Sequence, residues 1–282
     1  MISEIAISNY KSILYQRFTL GRLNVFVGRE GSGKTNILEA LGIAAAAHDE
    51  TLDSDNLIKR GIKAEKPSLM FHSTTDNSVQ NNEIEIVWYE RNSWKKSKLV
   101  SDNPDELDAK WKDISWYEPE YIDKINNLIR FISDGSIEGE YPFADESKNV
   151  VLNAAFRGSR NFRNYNIYNV NSGDIKDCQD IYSFFQSLFT DRNTPSIFAI
   201  DGIETMLPMD VCCNMMTNVA QLAVRQNKQA LITTNSPSMV KGMDLSDPAQ
   251  KLYFVKMSEN CQTVIKELKD ISLVEILWNE VN

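Results

Sequence analysis

Residues that commonly bind metals or form disulfides are scarce in this sequence. It contains four cysteines and two histidines among 282 residues. No two cysteines have the CxxC spacing that is typical of zinc sites and redox motifs. We therefore interpret the cysteines as reduced thiols in a cytoplasmic protein, and two histidines are too few for a histidine-rich metal site. The four are Cys178, Cys212, Cys213 and Cys261.

Long hydrophobic runs are missing as well. The most apolar stretch, Leu41–Ala47, is far shorter than the roughly 20 residues that a membrane-spanning helix needs. The opening residues, MISEIAISNYKS, contain no basic segment followed by an apolar one, so we expect no secretory signal. No segment carries coiled-coil heptads. The sequence thus predicts neither membrane association nor a long coiled-coil arm.

The chain has no excess of positive charge. Thirty Lys and Arg stand against 39 Asp and Glu, which gives a formal net charge of −9, so no overall basic field attracts nucleic acid. A local exception is formed by Arg157, Arg160 and Arg163, whose three-residue spacing places them on one face if the segment is helical. Three interpretations stay open: a nucleic-acid contact, a contact with an acidic partner, or a solvated basic surface.

The residues that are present have an ordinary globular composition, 42% hydrophobic and 24% charged. Short apolar strands at Leu23–Val27, Ser196–Ile200 and Gln229–Thr234 alternate with helical segments. Such alternation predicts an α/β fold with a mainly parallel sheet covered by helices. Ile5 and Ile7 alternate with polar neighbours, and a hairpin pattern spans Glu83–Val100, which predicts an antiparallel β portion near the N-terminus.

The middle of the chain predicts an insertion. From Pro104 to Ile132 the pattern is helical and rich in aromatic residues, Trp111 among them. These aromatics are the core of an inserted helical subdomain or, alternatively, an exposed patch that docks a partner. We therefore expect one composite domain, with an N-terminal lobe at 1–100, a mainly helical insertion at 101–165 and a C-terminal lobe at 166–282.

Residues 28–35 read GREGSGKT, which is the full Walker A pattern. An apolar strand precedes it and a helical pattern follows it, the context in which this motif binds phosphates. Glycines let backbone N–H groups cradle the phosphates, Lys34 would reach the β- and γ-phosphates, and the Thr35 hydroxyl would bind Mg²⁺. The alternative is a glycine-rich turn that only caps a helix. The predicted nucleotide-binding residues here are Gly28, Arg29, Glu30, Gly31, Ser32, Gly33, Lys34, Thr35 and Asn36.

An acidic residue closes a later apolar strand. Asp201 directly follows Phe198-Ala199-Ile200, as a Walker B motif requires, and would hold Mg²⁺ through water opposite Thr35. The alternative is a core strand that ends in a turn. Together with the Walker A pattern, this predicts Thr35 and Asp201 as the metal-binding residues.

Four segments together resemble the ABC-type ATPases of the RecF/SMC/overcoming-lysogenization-defect (OLD) group, which are filed among AAA-type ATPases. The segments are NYKSI at 9–13, GREGSGKTNILEAL at 28–41, IDGIETMLP at 200–208 and LITTNSPSMV at 231–240. Their order and spacing match the group, whereas residues 50–165 carry no specific match. The resemblance implies an ABC-type P-loop fold, ATP and Mg²⁺ as ligands, and a head-to-tail dimer that sandwiches two nucleotides.

A further likeness lies one helix before the Walker B strand. Residues 171–174 read NSGD, which resembles a degenerate form of the family's Leu-Ser-Gly-Gly-type signature. In the family, that serine and glycine contact the γ-phosphate of ATP bound to the other subunit, which implies this role for Ser172 and Gly173. By itself, the same tetrapeptide is a common turn.

Three positions depart from the family pattern. The glutamate that normally follows the Walker B aspartate is Gly202, the switch histidine is Asn235, and an asparagine of the loop is Glu30. A positioned general base contributes about 10²–10⁴-fold to rate, so these departures predict ATP binding with slow or absent hydrolysis. Asn235 would hydrogen-bond the γ-phosphate without carrying a proton. Glu204 is the nearby acid that could act as a substitute base.

These inferences predict an ATP-binding subunit whose nucleotide-dependent dimerisation or assembly controls a partner. We expect any nuclease or effector activity to come from a separate chain. By the resemblance, the setting is anti-phage defence or DNA repair. The alternatives are an active ATPase that remodels DNA or a partner protein, and a scaffold whose loops no longer bind nucleotide.

Overall fold

Two β-sheets organise the chain in a computed structural model, which describes residues 1–49, 51–63, 65–72, 83–90, 93–101, 105, 111–113, 165–169, 178–191, 194–202 and 209–280. In chain order the elements are β1 (Ile2–Tyr10), β2 (Ile13–Thr19), β3 (Leu23–Val27), α1 (Lys34–His48), α2 (Ser54–Lys59), α3 (Pro67–Met70), β4 (Glu83–Glu90), β5 (Ser93–Ser101), β6 (Trp111–Asp113), β7 (Ile167–Asn169), α4 (Cys178–Thr190), β8 (Ile197–Asp201), α5 (Met209–Arg225), β9 (Gln229–Thr234), a 3₁₀ helix (Pro237–Gly242), β10 (Gln250–Met257), β11 (Thr263–Leu268) and α6 (Ser272–Glu280).

The larger sheet has six strands in the order β11-β10-β3-β9-β8-β7. The neighbours from β10 to β7 run parallel, and β11 pairs with β10 in the antiparallel direction. Strands β3 and β9 are buried at every residue, which is typical of strands covered on both faces. The predicted mainly parallel sheet is confirmed. Strand β3 lies between two strands from the last third of the chain, so one sheet joins the predicted N- and C-terminal lobes.

The smaller sheet is antiparallel, with the order β2-β1-β4-β5-β6. It contains the predicted hairpin as β4 and β5, in which Glu83 pairs with Val100. Residues Trp111–Asp113 form its edge strand β6 and pair with β5. The helical prediction is therefore wrong for these three residues, because pairing with β5 overrides the local pattern. Of the rest of the expected insertion, residues 101, 105 and 165 are described, whereas Arg157, Arg160 and Arg163 lie outside the described residues.

Helix α1 lies between the two sheets and is buried on all sides. Thirteen of its 15 residues are buried, as expected for a helix that is apolar around its whole circumference. It forms one core with alternate residues of both sheets, because side chains on a strand point to opposite faces in turn. From the parallel sheet this core includes Phe26, Leu231 and Tyr253, and from the antiparallel sheet Ile5, Ile86 and Trp88.

The opposite face of the parallel sheet packs against α4, α5 and the 3₁₀ helix. This second core contains Val25 and Val27, the neighbours of Phe26 on β3, together with Phe189 and Met216 from the helices. Helices thus cover both faces of the sheet, as predicted. Among the described residues, no helix combines the length and the apolarity needed to cross a bilayer.

One buried glutamine ties the sheets together. Gln229, at the start of β9, is 2% exposed. Its amide donates to the Ile2 carbonyl at 2.7 Å and to the Gly21 carbonyl at 2.7 Å, and its carbonyl accepts from the Ile2 N–H at 3.1 Å. These three bonds satisfy backbone groups where the antiparallel sheet meets the parallel one.

Candidate nucleotide-binding site

The predicted site residues meet at one edge of the parallel sheet. Strands β3, β9 and β8 are neighbours and run in the same direction, so their carboxyl ends place Gly28, Asn235 and Asp201 at the same edge. The Gly28 N–H donates to the Thr234 carbonyl at 3.2 Å and continues the ladder into the loop. In open α/β sheets, ligands bind outside the carboxyl ends of the strands.

The conformation of the loop after β3 depends on its glycines. Gly31 and Gly33 have φ angles of 75° and 92°, which L-residues rarely adopt. A Cβ added to Gly28 would lie 2.1 Å from the Val255 carbonyl oxygen of β10. Glycine is therefore required at position 28 by the close approach of β10, and at position 33 by the left-handed backbone.

The ammonium of Lys34 lies within this loop. The residue is 7% exposed, and its Nζ donates to the carbonyls of Gly28 and Arg29 at 2.9 and 2.7 Å and to the Ser32 hydroxyl at 3.3 Å. Lys34 is the first residue of α1, so its positive charge adds to that of the helix N-terminus. Both sources of charge favour an anion at the loop.

Thr35 and Asp201 are in direct contact. The Thr35 hydroxyl donates to Oδ2 of Asp201 at 2.9 Å. Two neighbouring ligands of an octahedral Mg²⁺, each about 2.0–2.1 Å from the ion, lie about 2.9 Å apart. The two oxygens are therefore close enough to act on the same Mg²⁺, with Thr35 as a direct ligand and Asp201 as a direct or a water-mediated one. Among the described residues there is no cluster of three or more His, Cys, Asp and Glu.

A threonine that the sequence reading did not single out orients Asp201. The Thr233 hydroxyl donates to Oδ1 of Asp201 and accepts the Gly202 N–H at 2.9 Å. Both carboxylate oxygens of Asp201 are thus held, one by each neighbouring threonine hydroxyl. The sequence places Thr233 one residue before the end of the apolar strand β9. That the threonine lies beside Asp201 follows only from the pairing of β9 with β8.

Gly202 occupies the position where the family pattern has its catalytic glutamate. Its φ of 67° lies in the left-handed region, which costs a residue with a Cβ about 1–2 kcal/mol. A glutamate at this position would therefore be strained in this backbone. Asn235 follows β9 and is exposed. Glu204, Ser172 and Gly173 lie outside the described residues, and their roles stay predictions.

The other predicted loop residues have different environments. Glu30 and Gly31 are exposed at the loop. The guanidinium of Arg29 instead contacts α6, where Nη2 donates to the Trp278 carbonyl at 2.9 Å and the group lies 5.5 Å from the centre of the Trp278 ring. Asn36, in the first turn of α1, donates to the Ser12 hydroxyl at 2.7 Å.

A buried glutamate connects the turn after β1 to the helix that begins at the loop. Glu39 is 4% exposed and accepts from Tyr10 at 3.2 Å and from the Lys11 ammonium at 2.7 Å. Burial, followed by the charge of Glu39, raises the pKa of Tyr10 well above its usual value. The pKa of Tyr165 is also raised, first by burial and then by the negative charges of Asp201 and Glu39. Both phenols therefore keep their protons, which Tyr10 donates to Glu39 and Tyr165 donates to the Leu38 carbonyl at 3.2 Å.

The chain is similar to a known family and to curated proteins. A family model described as an AAA ATPase domain matches residues 1–191. The DNA replication and repair protein RecF of Ruminiclostridium cellulolyticum is 34% identical over 107 residues, and RecF of Shouchella clausii is 30% identical over 88. These matches cover 37% and 31% of this chain but 27% and 23% of the relatives. The matched part thus spans about a quarter of each relative's length.

Solved structures are similar over nearly the whole chain. An Smc head bound to the C-terminal winged-helix domain of ScpA has a TM-score of 0.51 at 12% identity and covers 95% of this chain and 98% of that one. An Smc head with an extended coiled coil, bound to the C-terminal domain of ScpA derived from Pyrococcus furiosus, has a TM-score of 0.51 at 9% identity, with coverages of 100% and 99%. At such low identity the likeness shows the fold alone. It confirms the predicted ABC-type fold class, and with the RecF matches it confirms the resemblance to the RecF/SMC group.

Proposed function

The chain belongs to the AAA ATPase domain family, and from this premise we propose that it is an ATP-binding subunit of the RecF/SMC type. The observation that carries the proposal is the joint position of Lys34 and the Thr35–Asp201 pair at the carboxyl edge of the parallel sheet. A buried ammonium beside an oxygen pair with magnesium spacing suits the triphosphate of a Mg²⁺-bound nucleotide. Mg²⁺, when bound there, would neutralise phosphate charge.

We further propose that ATP joins two copies of the chain head to tail. Gly31 and Thr35 are exposed at the mouth of the site, so one copy leaves a side of a bound nucleotide uncovered. In the family pattern that side is completed by the signature of the other copy, which would here be Ser172 and Gly173. ATP would then stabilise the dimer by filling its interface, because a ligand shared by two chains favours their assembly.

Hydrolysis is proposed to be slow or absent. The site retains the groups that hold phosphate and metal, whereas the base position is Gly202 and the switch position is Asn235. A glycine carries no proton acceptor on its side chain, and an asparagine amide does not exchange protons as an imidazole does. Losing a positioned base reduces rate by about 10²–10⁴-fold and leaves the binding groups in place.

The relatives suggest the biological setting of the proposal. The similar curated proteins are named for DNA replication and repair, and the similar Smc heads were solved with ScpA bound. We therefore propose that the ATP-dependent assembly controls a separate effector protein in DNA transactions, with anti-phage defence as the alternative setting. A contact with nucleic acid is proposed for Arg157, Arg160 and Arg163.

Particle mass with and without Mg²⁺-ATP tests binding and assembly together. We expect light scattering to show a doubled mass with nucleotide and a rise in melting temperature, since a ligand that binds the folded state stabilises it. Lys34→Ala should abolish both effects. Lys266→Ala, which removes an exposed lysine from β11, is the matched control and should retain them. Unchanged mass and melting temperature in the wild type would refute the proposal.

Phosphate release separates the proposed function from that of an active ATPase. We expect nucleotide affinity to be measurable by calorimetry while phosphate release stays near the rate without protein. Rapid release that Glu204→Gln abolishes would instead show that the second acid has become the base. In that case the protein would be an enzyme that uses hydrolysis to remodel DNA or a partner.

A further inference from the structure

A threonine outside every motif contacts the phosphate loop. Thr263 is the first residue of β11 and is 1% exposed. Its Oγ1 lies 2.6 Å from the Ser12 hydroxyl and 3.3 Å from the carbonyl oxygen of Ser32, inside the loop. Its N–H donates to the Ser12 carbonyl at 2.7 Å. The strand β11 and the turn after β1 are thereby fastened to the loop at one point.

The hydrogen bonds around Thr263 form a chain in which every donor points the same way, from α1 toward the phosphate loop. Asn36 Nδ2 donates to the Ser12 hydroxyl at 2.7 Å. A carbonyl can only accept, so the single proton of the Thr263 hydroxyl is used on Ser32. The proton of the Ser12 hydroxyl therefore goes to Thr263. The chain begins in the first turn of α1, at Asn36, and ends on a carbonyl of the phosphate loop.

Holding that carbonyl fixes the amide of the next residue. The Ser32 C=O and the Gly33 N–H belong to one planar trans peptide unit, in which the two groups point in opposite directions. A carbonyl turned toward Thr263 therefore turns the Gly33 N–H away from Thr263. The position of a Cβ on Gly33 would be 1.9 Å from Thr263 Oγ1, so the threonine also closes the outer side of the loop.

We propose that Thr263 is a positioning residue that aims the Gly33 amide at the phosphates of the bound nucleotide. This inference rests on the proposed function, since it concerns the same site. The threonine acts through Ser32 and touches no nucleotide itself. Its contribution is preorganisation: the amide has its binding orientation before the anion arrives, and less order must be imposed on binding.

Matched variants test the role of the hydroxyl. Thr263→Val keeps the shape and removes the hydrogen bonds, whereas Thr263→Ser keeps the hydroxyl. The control is Thr217→Val on α5, which removes a hydroxyl that donates to the Gly242 carbonyl at 2.8 Å. With Mg²⁺-AMP-PNP as the probe in calorimetry, we expect Thr263→Val to weaken binding by roughly three- to tenfold, the usual effect of one lost hydrogen bond. Thr263→Ser and the control should bind like the wild type.

The Gly33 amide can be observed directly. Of the 12 glycines, Gly33 and Gly173 are those that follow a serine, so labelling serine carbonyls with ¹³C and glycine amides with ¹⁵N selects two signals. Ser172→Ala removes one of them and assigns the other to Gly33. We expect Thr263→Val to shift the Gly33 signal without nucleotide, and Thr263→Ser to restore it.

The outcomes separate this inference from the proposed function. No binding of Mg²⁺-AMP-PNP by the wild type would overturn the proposed function and the inference with it. Binding by the wild type, together with equal affinity and an unmoved Gly33 signal in Thr263→Val, would overturn the inference alone. If Thr263→Val does not fold, Thr263→Ala also removes the hydroxyl that holds the Ser32 carbonyl, and full affinity with an unmoved signal in that variant would have the same meaning.

Discussion

Two glycines of the phosphate loop allow backbone strain to be separated from a steric clash. Gly31 and Gly33 both have positive φ angles, 75° and 92°. A Cβ on Gly31 would have no atom within 4 Å, whereas a Cβ on Gly33 would lie 1.9 Å from Thr263 Oγ1 and 2.8 Å from Ser12 Oγ. Alanine at either position brings the same strain, and only alanine at Gly33 brings the clash.

The structure sets the expected size of both effects. A positive φ costs an L-residue about 1–2 kcal/mol, and the lower entropy of the unfolded chain returns roughly 0.4–1 kcal/mol. Gly31→Ala should therefore reduce the free energy of unfolding by about 1 kcal/mol. Overpacking at a closed position adds about 1–3 kcal/mol, so Gly33→Ala should cost about 2–4 kcal/mol.

Urea unfolding without nucleotide, followed by circular dichroism, measures both variants against the wild type. The double variant Gly33→Ala/Thr263→Ala removes the oxygen at 1.9 Å and leaves the threonine Cβ at 3.0 Å, so we expect it to recover part of the loss from Gly33→Ala. Equal losses in the two single variants would show that β11 does not close the loop at Gly33, and the reasoning about Thr263 would fail with it.

Two further predictions concern stability away from the loop. Gln229→Leu strands the N–H and the carbonyl of Ile2 at the junction of the sheets, whereas the Gly21 carbonyl still accepts from Asn24. Since each buried unsatisfied group costs about 1–3 kcal/mol, urea unfolding should show a loss of about 2 kcal/mol or more in the free energy of unfolding, and a loss below about 1 kcal/mol would contradict the junction. Burial raises the pKa of Glu65, but hydrogen bonds from Lys63 and Lys11 outweigh it and leave the pKa below its usual 4.5. The stability that Glu65 contributes is therefore present above pH 4.5 and disappears as the pH falls through the lowered pKa. The difference in the free energy of unfolding between the wild type and Glu65→Gln should accordingly vanish in acid. A difference that does not depend on pH would refute the assignment.

Much of the site could be predicted because its parts are encoded locally. The pattern GREGSGKT specifies a turn that needs glycines, and Gly33, the residue directly before α1, indeed has a left-handed φ. The contact between Thr35 and Asp201 joins residues 166 positions apart. It was nonetheless predictable, since parallel strands that each end in a motif bring those motifs to one edge of a sheet.

The contacts that reading the sequence missed depend on which strands become neighbours. Thr263 resembles any threonine at the start of a strand, and Gln229 resembles any residue of a buried run, until the sheet order places each beside its partners. The strand at Trp111–Asp113 has the same explanation, because its pairing with β5 decided its structure. Local propensity carries no information about such pairings.

The proposed separation of binding from hydrolysis follows because different residues are responsible for the two tasks. Lys34 donates to carbonyls of the loop, and Thr35 donates to Asp201, so the proposed binding groups are held without a side chain at position 202. The base position is different, because Gly202 contributes only a backbone N–H, which supports Asp201 through Thr233. Its φ of 67° suits glycine, and a glutamate placed there would add backbone strain beside Asp201. Glycine at position 202 therefore supports Asp201 without strain and supplies no base, which agrees with the proposed slow or absent hydrolysis.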